Sequence, residues 1–207
     1  GLDLIYGLPC QNKGSWRKDL AAAAAFSPSH ISCYMLTYET GTPMKTALDA
    51  GQFMPMPEER VSAMFLQAAK FLVGRGYTHY EISNFAASEA ERSRHNQKYW
   101  KNAPYLGLGP SAHSYEAPVR AWNHRSVSRY IADINARRLP VAGAERIDTR
   151  QMMIEAIYLG LRQADGIDLA TFRERFDVDF SEAFASLIEV HLAAGHMLID
   201  DHSCRLT

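Results

Sequence analysis

The 207-residue sequence has little cysteine, and its three cysteines, Cys10, Cys33 and Cys204, lie far apart. This spacing matches neither a disulfide framework nor a zinc ribbon. Iron–sulfur clusters also need thiolates at close spacing, so we expect no cluster and no metal site to be held by this chain alone. We therefore expect three reduced, mostly unreactive thiols, because a free cysteine is commonly a small buried apolar residue.

An excess of charge of one sign is also missing, as is a long hydrophobic run. The 22 lysines and arginines and the 23 aspartates and glutamates give a net charge of −1, so the basic surface of a nucleic-acid-binding protein is absent. Low-charge runs such as 20–26 are too short to cross a bilayer, and no secretory signal pattern opens the chain. We expect a cytoplasmic globular protein with no transmembrane segment and no nucleic-acid partner.

The first part of the chain predicts an α/β fold. Three segments resemble strands, namely 2–6, 31–36 and 79–82. Between the first two, Ser15 is the predicted cap of a helix over 16–26, whose alanines favour helix. This order indicates a βαβ unit with its ligand-facing loops at the strand ends. A long amphipathic helix should begin at Pro57 and end at Gly74.

The second part predicts mostly helix. A loop-rich stretch over 83–123 should hold a short helix near 97–101, and a helix over 127–138 should lead to a domain boundary at Leu139–Pro140. The domains predicted are thus 1–139 and 140–207. The second should contain three helices and a strand, at 148–163, 169–176, 181–194 and 196–199.

This second domain should be a small winged-helix-like module. Its third helix carries Glu182 and Glu189 but no lysine or arginine, whereas a helix that reads DNA needs basic or amide side chains. A DNA-reading role is therefore not expected.

Two polar features lie in or directly after predicted strands. Asp3 lies in the first strand before a Gly-Leu-Pro turn and could accept hydrogen bonds from a ligand hydroxyl or ammonium, or only cap local backbone. Residues 39–43 after the second strand form either a polar rim of a site or a solvated loop.

The segment 94–100 combines a cation, an imidazole, an amide and two large aromatics. Aromatic and guanidinium groups can stack on a flat conjugated ligand, cations can pair with its carboxylates, and a histidine can ligate iron. The alternative is a surface helix whose aromatics anchor it to the core. The candidate site residues are Arg94, His95, Asn96, Tyr99 and Trp100.

The segment 105–114 contains two glycines one residue apart. It lacks the third glycine and the following helix of a dinucleotide-binding loop, and no nucleophile-elbow spacing surrounds its histidine. We expect the glycines to permit close backbone passage beneath a site with a polar lining. The candidate lining residues are Gly107, Gly109, Ser111 and His113.

Six collinear segments together resemble the HemW/oxygen-independent coproporphyrinogen III oxidase family of the radical SAM superfamily. They are DLIYGLP at 3–9, HISCYMLTYETGTP at 30–43, GYTHYEISNFA at 76–86, RHNQKYW at 94–100, YLGLGPSAHS at 105–114 and LGLRQADGIDL at 159–169. The resemblance implies the C-terminal part of a radical SAM partial (βα) barrel, followed by the winged-helix-like domain.

The HNxxYW pattern of 95–100 is closer to the heme chaperone branch than to the oxidase branch. The resemblance implies a protein that binds heme and delivers it to respiratory proteins. The alternative is SAM-dependent oxidative decarboxylation of coproporphyrinogen III, and a non-catalytic interaction module is a further one.

The resemblance also implies a 4Fe-4S cluster and S-adenosylmethionine in the full-length protein, with Asp3 on the SAM side. The Cys-x-x-x-Cys-x-x-Cys loop of the family does not occur here, and Cys10 stands where relatives often have glycine. We therefore expect this chain to be inert by itself and to hold neither cofactor completely. Two barrel strands without their neighbours also leave open edges, which a dimer is one way to cover.

Overall fold

A computed structural model describes all 207 residues, which form two compact units, Gly1–Ser93 and Arg94–Thr207. Both units mix helices and strands, so the predicted α/β class is confirmed. The unit division does not coincide with the predicted domain boundary at Leu139–Pro140, which stays a prediction. No helix is both long and apolar enough to cross a membrane.

The first unit is a four-stranded sheet with helices on one face. Its sheet order is β1-β2-β4-β3, in which β1 and β2 are parallel and β4 is antiparallel to both of its neighbours. The elements are β1 (Leu2–Tyr6), α1 (Lys13–Ala25), β2 (His30–Met35), α2 (Pro43–Asp49), α3 (Glu58–Val73), β3 (Thr78–His79) and β4 (Asn84–Ala86). A short 3-10 helix follows at Glu89–Glu91.

The core of this unit lies between the sheet and the helices α1 and α3. Trp16 and Leu20 of α1 meet Met64 and Leu72 of α3, and all four side chains are buried. The indole Nε1 of Trp16 also donates a hydrogen bond to the carbonyl of Met64 at 3.0 Å. The apolar stripe predicted for α3 is therefore the stripe that packs against the sheet, and the helix ends at Gly74 as expected.

Two local predictions for this unit were wrong. Helix α1 is capped by Asn12, whose side chain accepts hydrogen bonds from the backbone N–H groups of Gly14 and Ser15, while the Ser15 hydroxyl accepts the backbone N–H of Asn12 at 3.0 Å. The third strand is shorter than expected, because the chain turns after His79 so that β4 can pair with β2.

The second unit contains two three-stranded antiparallel sheets. The first has the order β5-β6-β7, with β5 (His113–Glu116), β6 (Val119–Asn123) and β7 (Val141–Arg146), and α5 (Val127–Asn135) connects β6 to β7. The strand β7 lies beyond Pro140 yet pairs with β6. This sheet was not predicted; β5 and β6 are joined by only two residues, whereas the pairing of β7 with β6 joins segments that α5 separates.

The rest of the unit resembles the predicted winged-helix-like module. It consists of α6 (Thr149–Leu161), β8 (Ile167–Asp168), α7 (Leu169–Phe176), α8 (Phe180–Ala183), α9 (Ala185–Ala193), β9 (Met197–Ile199) and β10 (Ser203–Leu206), with sheet order β8-β10-β9. Helix α4 (Arg94–Trp100) precedes both sheets. The buried side chains Phe172, Phe176, Phe180 and Ile188 form one cluster with Met197.

Candidate functional site

Asp3 lies in β1 on the sheet face opposite the core. Its register partner on β2 is Ser32, which in turn pairs with Asn84 on β4. Alternate residues of a strand point to opposite faces, and the neighbours Leu4 and Ile31 belong to the core. A polar row therefore crosses three strands, with the exposed Asp3 carboxylate at its end.

A buried carboxylate beside this row was missed from the sequence. Glu81 is 2% exposed, and its Oε1 accepts hydrogen bonds from Asn84 Nδ2 at 2.5 Å and from the backbone N–H of Ser83 at 2.8 Å. The carboxylate thereby fixes the orientation of the Asn84 amide. The string EISN was the available signal, but a carboxylate inside an apolar strand pattern does not reveal its partners.

A histidine and a tyrosine form a second contact in this unit. His30 Nε2 lies 2.8 Å from Tyr80 Oη, which accepts the backbone N–H of Ser93 at 3.0 Å. Burial lowers the pKa of His30 and raises the pKa of Tyr80, so both groups are held neutral at physiological pH. The tyrosine hydroxyl can then donate its proton to the ring nitrogen.

The polar loop before α2 serves the local backbone. Thr42 is the N-cap of α2, and its Oγ1 accepts the N–H of Lys45 at 3.3 Å. The same hydroxyl donates to the carbonyl of Glu39 at 2.7 Å. Of the two alternatives for residues 39–43, these contacts favour a structural loop.

Helix α4 separates the residues of the 94–100 segment onto different faces. His95 meets Tyr99 edge to face at a centroid distance of 5.0 Å, and Tyr99 meets Tyr105 in the same way at 4.7 Å. His95 is exposed and Tyr99 is 38% exposed, so this aromatic row is open to solvent. Arg94 is exposed at the first helical position.

Trp100, by contrast, points into the unit. It is 8% exposed and lines a groove of about 480 Å³ between the end of α4 and the helices α6 and α7. Asn96, one helical turn before it, is half-buried. The two aromatics of this segment thus face different surroundings: Tyr99 is presented outward and Trp100 lines the groove.

The glycine loop, residues 105–114, is held in place by hydrogen bonds from the side chain of Asn123. Its Nδ2 donates to the carbonyls of Gly107 at 3.2 Å and Gly109 at 3.0 Å, and Asn123 is 8% exposed. A Cβ on Gly107 would lie 2.0 Å from the carbonyl oxygen of His113, so only glycine fits. The close backbone passage expected here is present. Asn123 was missed, because nothing in the sequence connects it to the loop.

The other two lining candidates lie on the same loop. Ser111 has a positive φ of 61° and its N–H donates to the carbonyl of His124 at 3.0 Å. His113 is exposed and tilts against Trp122 at a centroid distance of 6.0 Å. Asp3 belongs to the first unit, whereas the candidates from Arg94 onward belong to the second.

No metal site is preformed. No three histidine, cysteine, aspartate or glutamate side chains lie close enough together to hold an ion.

Known proteins are similar to this chain over residues of both units. Residues 147–207 match the family model of the HemN C-terminal domain. The chain is 36% identical over 172 residues to heme chaperone HemW of Synechocystis, which covers 82% of the chain and 41% of that protein. It is 30% identical over 188 residues to heme chaperone HemW of Bacillus subtilis, covering 91% and 49%. The chain thus spans about half the length of the curated relatives it matches.

The fold matches a solved enzyme structure. Coproporphyrinogen III oxidase (HemN) from Escherichia coli, described as a radical SAM enzyme, superposes with a TM-score of 0.73 at 18% identity, over 99% of this chain and 50% of that one. The solved structure shows the same fold, and the relatives at 30–36% identity show that the chain belongs to the HemW family of radical SAM proteins, of which it represents a part.

Proposed function

We propose that this chain is part of a heme chaperone and that the open face of α4 contributes to heme binding. The observation that carries this proposal is the row of His95, Tyr99 and Tyr105, in which His95 and Tyr99 are exposed and Tyr105 is half-buried. An exposed imidazole next to aromatic rings can approach the iron and the plane of a porphyrin together. The relatives with 30–36% identity are named heme chaperones, which supports the same assignment.

A histidine with no other strong partner suits an iron ligand. His95 contacts Tyr99 through its ring edge and takes part in no ion pair. Arg94 stands next to it, where its guanidinium could stack on the porphyrin ring. The proposal includes a lining of the site by Gly107, Gly109, Ser111 and His113. It also includes delivery of heme to respiratory proteins, a dimer and a cytoplasmic location.

The residues present do not fit a 4Fe-4S cluster. Cys33 is buried in the core of the first unit, where burial raises the pKa of its thiol to about 12, and Cys204 is buried against Met197. Only Cys10 is exposed. A cluster needs several accessible thiolates, so any cluster belongs to residues outside this sequence.

The residues fit a contact with S-adenosylmethionine only in part. The exposed carboxylate of Asp3 could accept hydrogen bonds from a hydroxyl or ammonium group, with Ser32 and Asn84 next to it in the row. In the full-length protein, S-adenosylmethionine would supply radical chemistry with the cluster. This chain supplies one side of that site.

The alternative function is oxidation of coproporphyrinogen III, which the fold likeness to the Escherichia coli enzyme favours. Assays of the full-length protein with a reconstituted cluster separate the two. We expect saturable heme binding followed by absorbance and no turnover of coproporphyrinogen III with S-adenosylmethionine. Turnover without stable heme binding would overturn the chaperone proposal.

A further inference from the structure

The groove beside Trp100 has an aromatic floor. Trp100, Phe172 and Phe176 line it and are 8%, 3% and 8% exposed. Its volume of about 480 Å³ lies within the range of about 300–1,000 Å³ that is usual for small-molecule pockets. The groove lies wholly within the second unit.

Two cations stand at the rim without a carboxylate partner. Lys101 directly follows α4 and is exposed, and Arg175 lies in the last turn of α7 with its guanidinium 4.9 Å from the Phe176 ring centre. Neither side chain forms a salt bridge. Because no carboxylate pairs with them, these two charges are available to a ligand.

The acidic residues at the groove are already engaged. Asp168 is the N-cap of α7 and accepts the N–H of Thr171 at 2.6 Å, and Asp165 has a contact of its own. Both carboxylates stay ionised, so the lining carries two cations and two anions, and Lys101 and Arg175 are the groups in it that can pair with a ligand carboxylate. An aromatic floor with a cationic rim is complementary to a flat apolar ring system that carries carboxylates.

We propose that this groove binds the carboxylate-bearing edge of a porphyrin, with Lys101 and Arg175 pairing with its carboxylates. The inference rests on the proposed heme function and deepens it, because it assigns the carboxylate side of the ligand to the end of α4. Trp100 and Phe172 contact the ring edge. The arginine can form a two-pronged contact with a carboxylate, and the lysine contributes a point charge.

The test compares two metal-free probes, protoporphyrin IX and its dimethyl ester, which differ only in their carboxylates. Binding is followed by porphyrin absorbance and fluorescence in one detergent-containing buffer. We expect the protein to bind the free acid about tenfold or more tightly than the ester. Lys101→Ala and Arg175→Ala should each remove a large part of that preference while ester binding stays unchanged.

Arg173→Gln is the matched control, because Arg173 lies on the same helix but lines a different cavity and pairs with Asp179. It should leave the preference unchanged, and Arg175→Lys should restore part of it. A preference that survives both alanine variants would overturn the groove assignment and leave the heme function intact. Binding of neither metal-free porphyrin would also overturn the groove assignment, whereas the heme function, which rests on iron ligation by His95, is overturned only when the protein also fails to bind heme.

Discussion

Two glycines in the second unit cannot be replaced by a larger residue without a shift, because other atoms lie too close to where a Cβ would stand. At Gly107 the obstacle is the backbone of His113, which cannot rotate away as a side chain could. At Gly143 the obstacle is the ring of Trp122, whose carbon Cζ2 would lie 2.6 Å from an added Cβ. The glycine loop was identified from the sequence, but the need for glycine at 143 depends on strand pairing that the sequence does not reveal.

Replacement of Gly107 tests this close approach. We expect Gly107→Ala to lower the free energy of unfolding by about 2 kcal/mol or more, because overpacking usually costs about 1–3 kcal/mol and here the backbone itself must move. Urea unfolding measures the change. Leu108→Ala, at an 81% exposed neighbour, should change the stability by less than about 0.5 kcal/mol. Equal stability of the Gly107→Ala variant and the unmodified protein would contradict the described loop.

The three thiols should differ in reactivity. Cys10 is exposed, whereas Cys33 and Cys204 are 3% and 0% exposed, and burial raises the pKa of both buried thiols. Because the thiolate is the reactive form, we expect a disulfide reagent to titrate one thiol in the native protein and three after unfolding. Cys10→Ser should abolish the fast reaction. Rapid reaction of a second thiol would show that a buried cysteine is accessible.

Whole elements were predictable where the signal is local. The 3–4 residue repeat of apolar residues located α3, and the alanine run located α1, because both patterns follow from helix geometry. The cap of α1 was displaced by three residues, since Ser15 and Asn12 are both good capping residues and only their mutual hydrogen bonds decide. The β5-β6-β7 sheet was missed: β5 and β6 flank a two-residue connection that was not recognised, and β7 is distant in sequence from its partner β6.

Helix α7 gives a test at the scale of an element. Asp168 caps it, and the N–H of Thr171 holds the pKa of the Asp168 carboxyl below its usual value. A carboxyl with a lowered pKa in the folded state stabilises the protein above its unfolded pKa near 3.9, and this contribution is lost as pH falls through the lower folded value. We expect Asp168→Ala to cost about 1 kcal/mol at pH 7.

The matched variant is Asp168→Asn, since asparagine caps almost as well but does not titrate. This variant should retain most of the stability at pH 7. Between pH 5 and pH 3 it should lose less stability than the unmodified protein does. Thermal unfolding across this range measures both. Asp201→Ala, at an exposed position without a capping role, should have little effect. An Asp168→Ala variant as stable as the unmodified protein would refute the cap.

At the scale of the whole molecule, the order of the sequence motifs along the chain identified the family. Six collinear segments indicated the family, and the family model, relatives and fold likeness agree with that assignment. The candidate site residues stay a prediction, and the structure adds where each one lies. The sequence grouped Tyr99 with Trp100, but α4 turns Tyr99 toward solvent and Trp100 into the groove, and the cations at the groove rim come from distant positions.

The central claim is that α4 presents a heme-binding face. The most direct measurement is a heme titration of the purified protein followed by its Soret absorbance, with His95→Ala beside the unmodified chain and His202→Ala as a control at an exposed histidine outside the proposed site. We expect saturation at one heme per chain, an affinity about tenfold lower for His95→Ala with a shifted Soret band, and no change for His202→Ala. Heme uptake that does not saturate, or that is the same in all three proteins, would contradict the account.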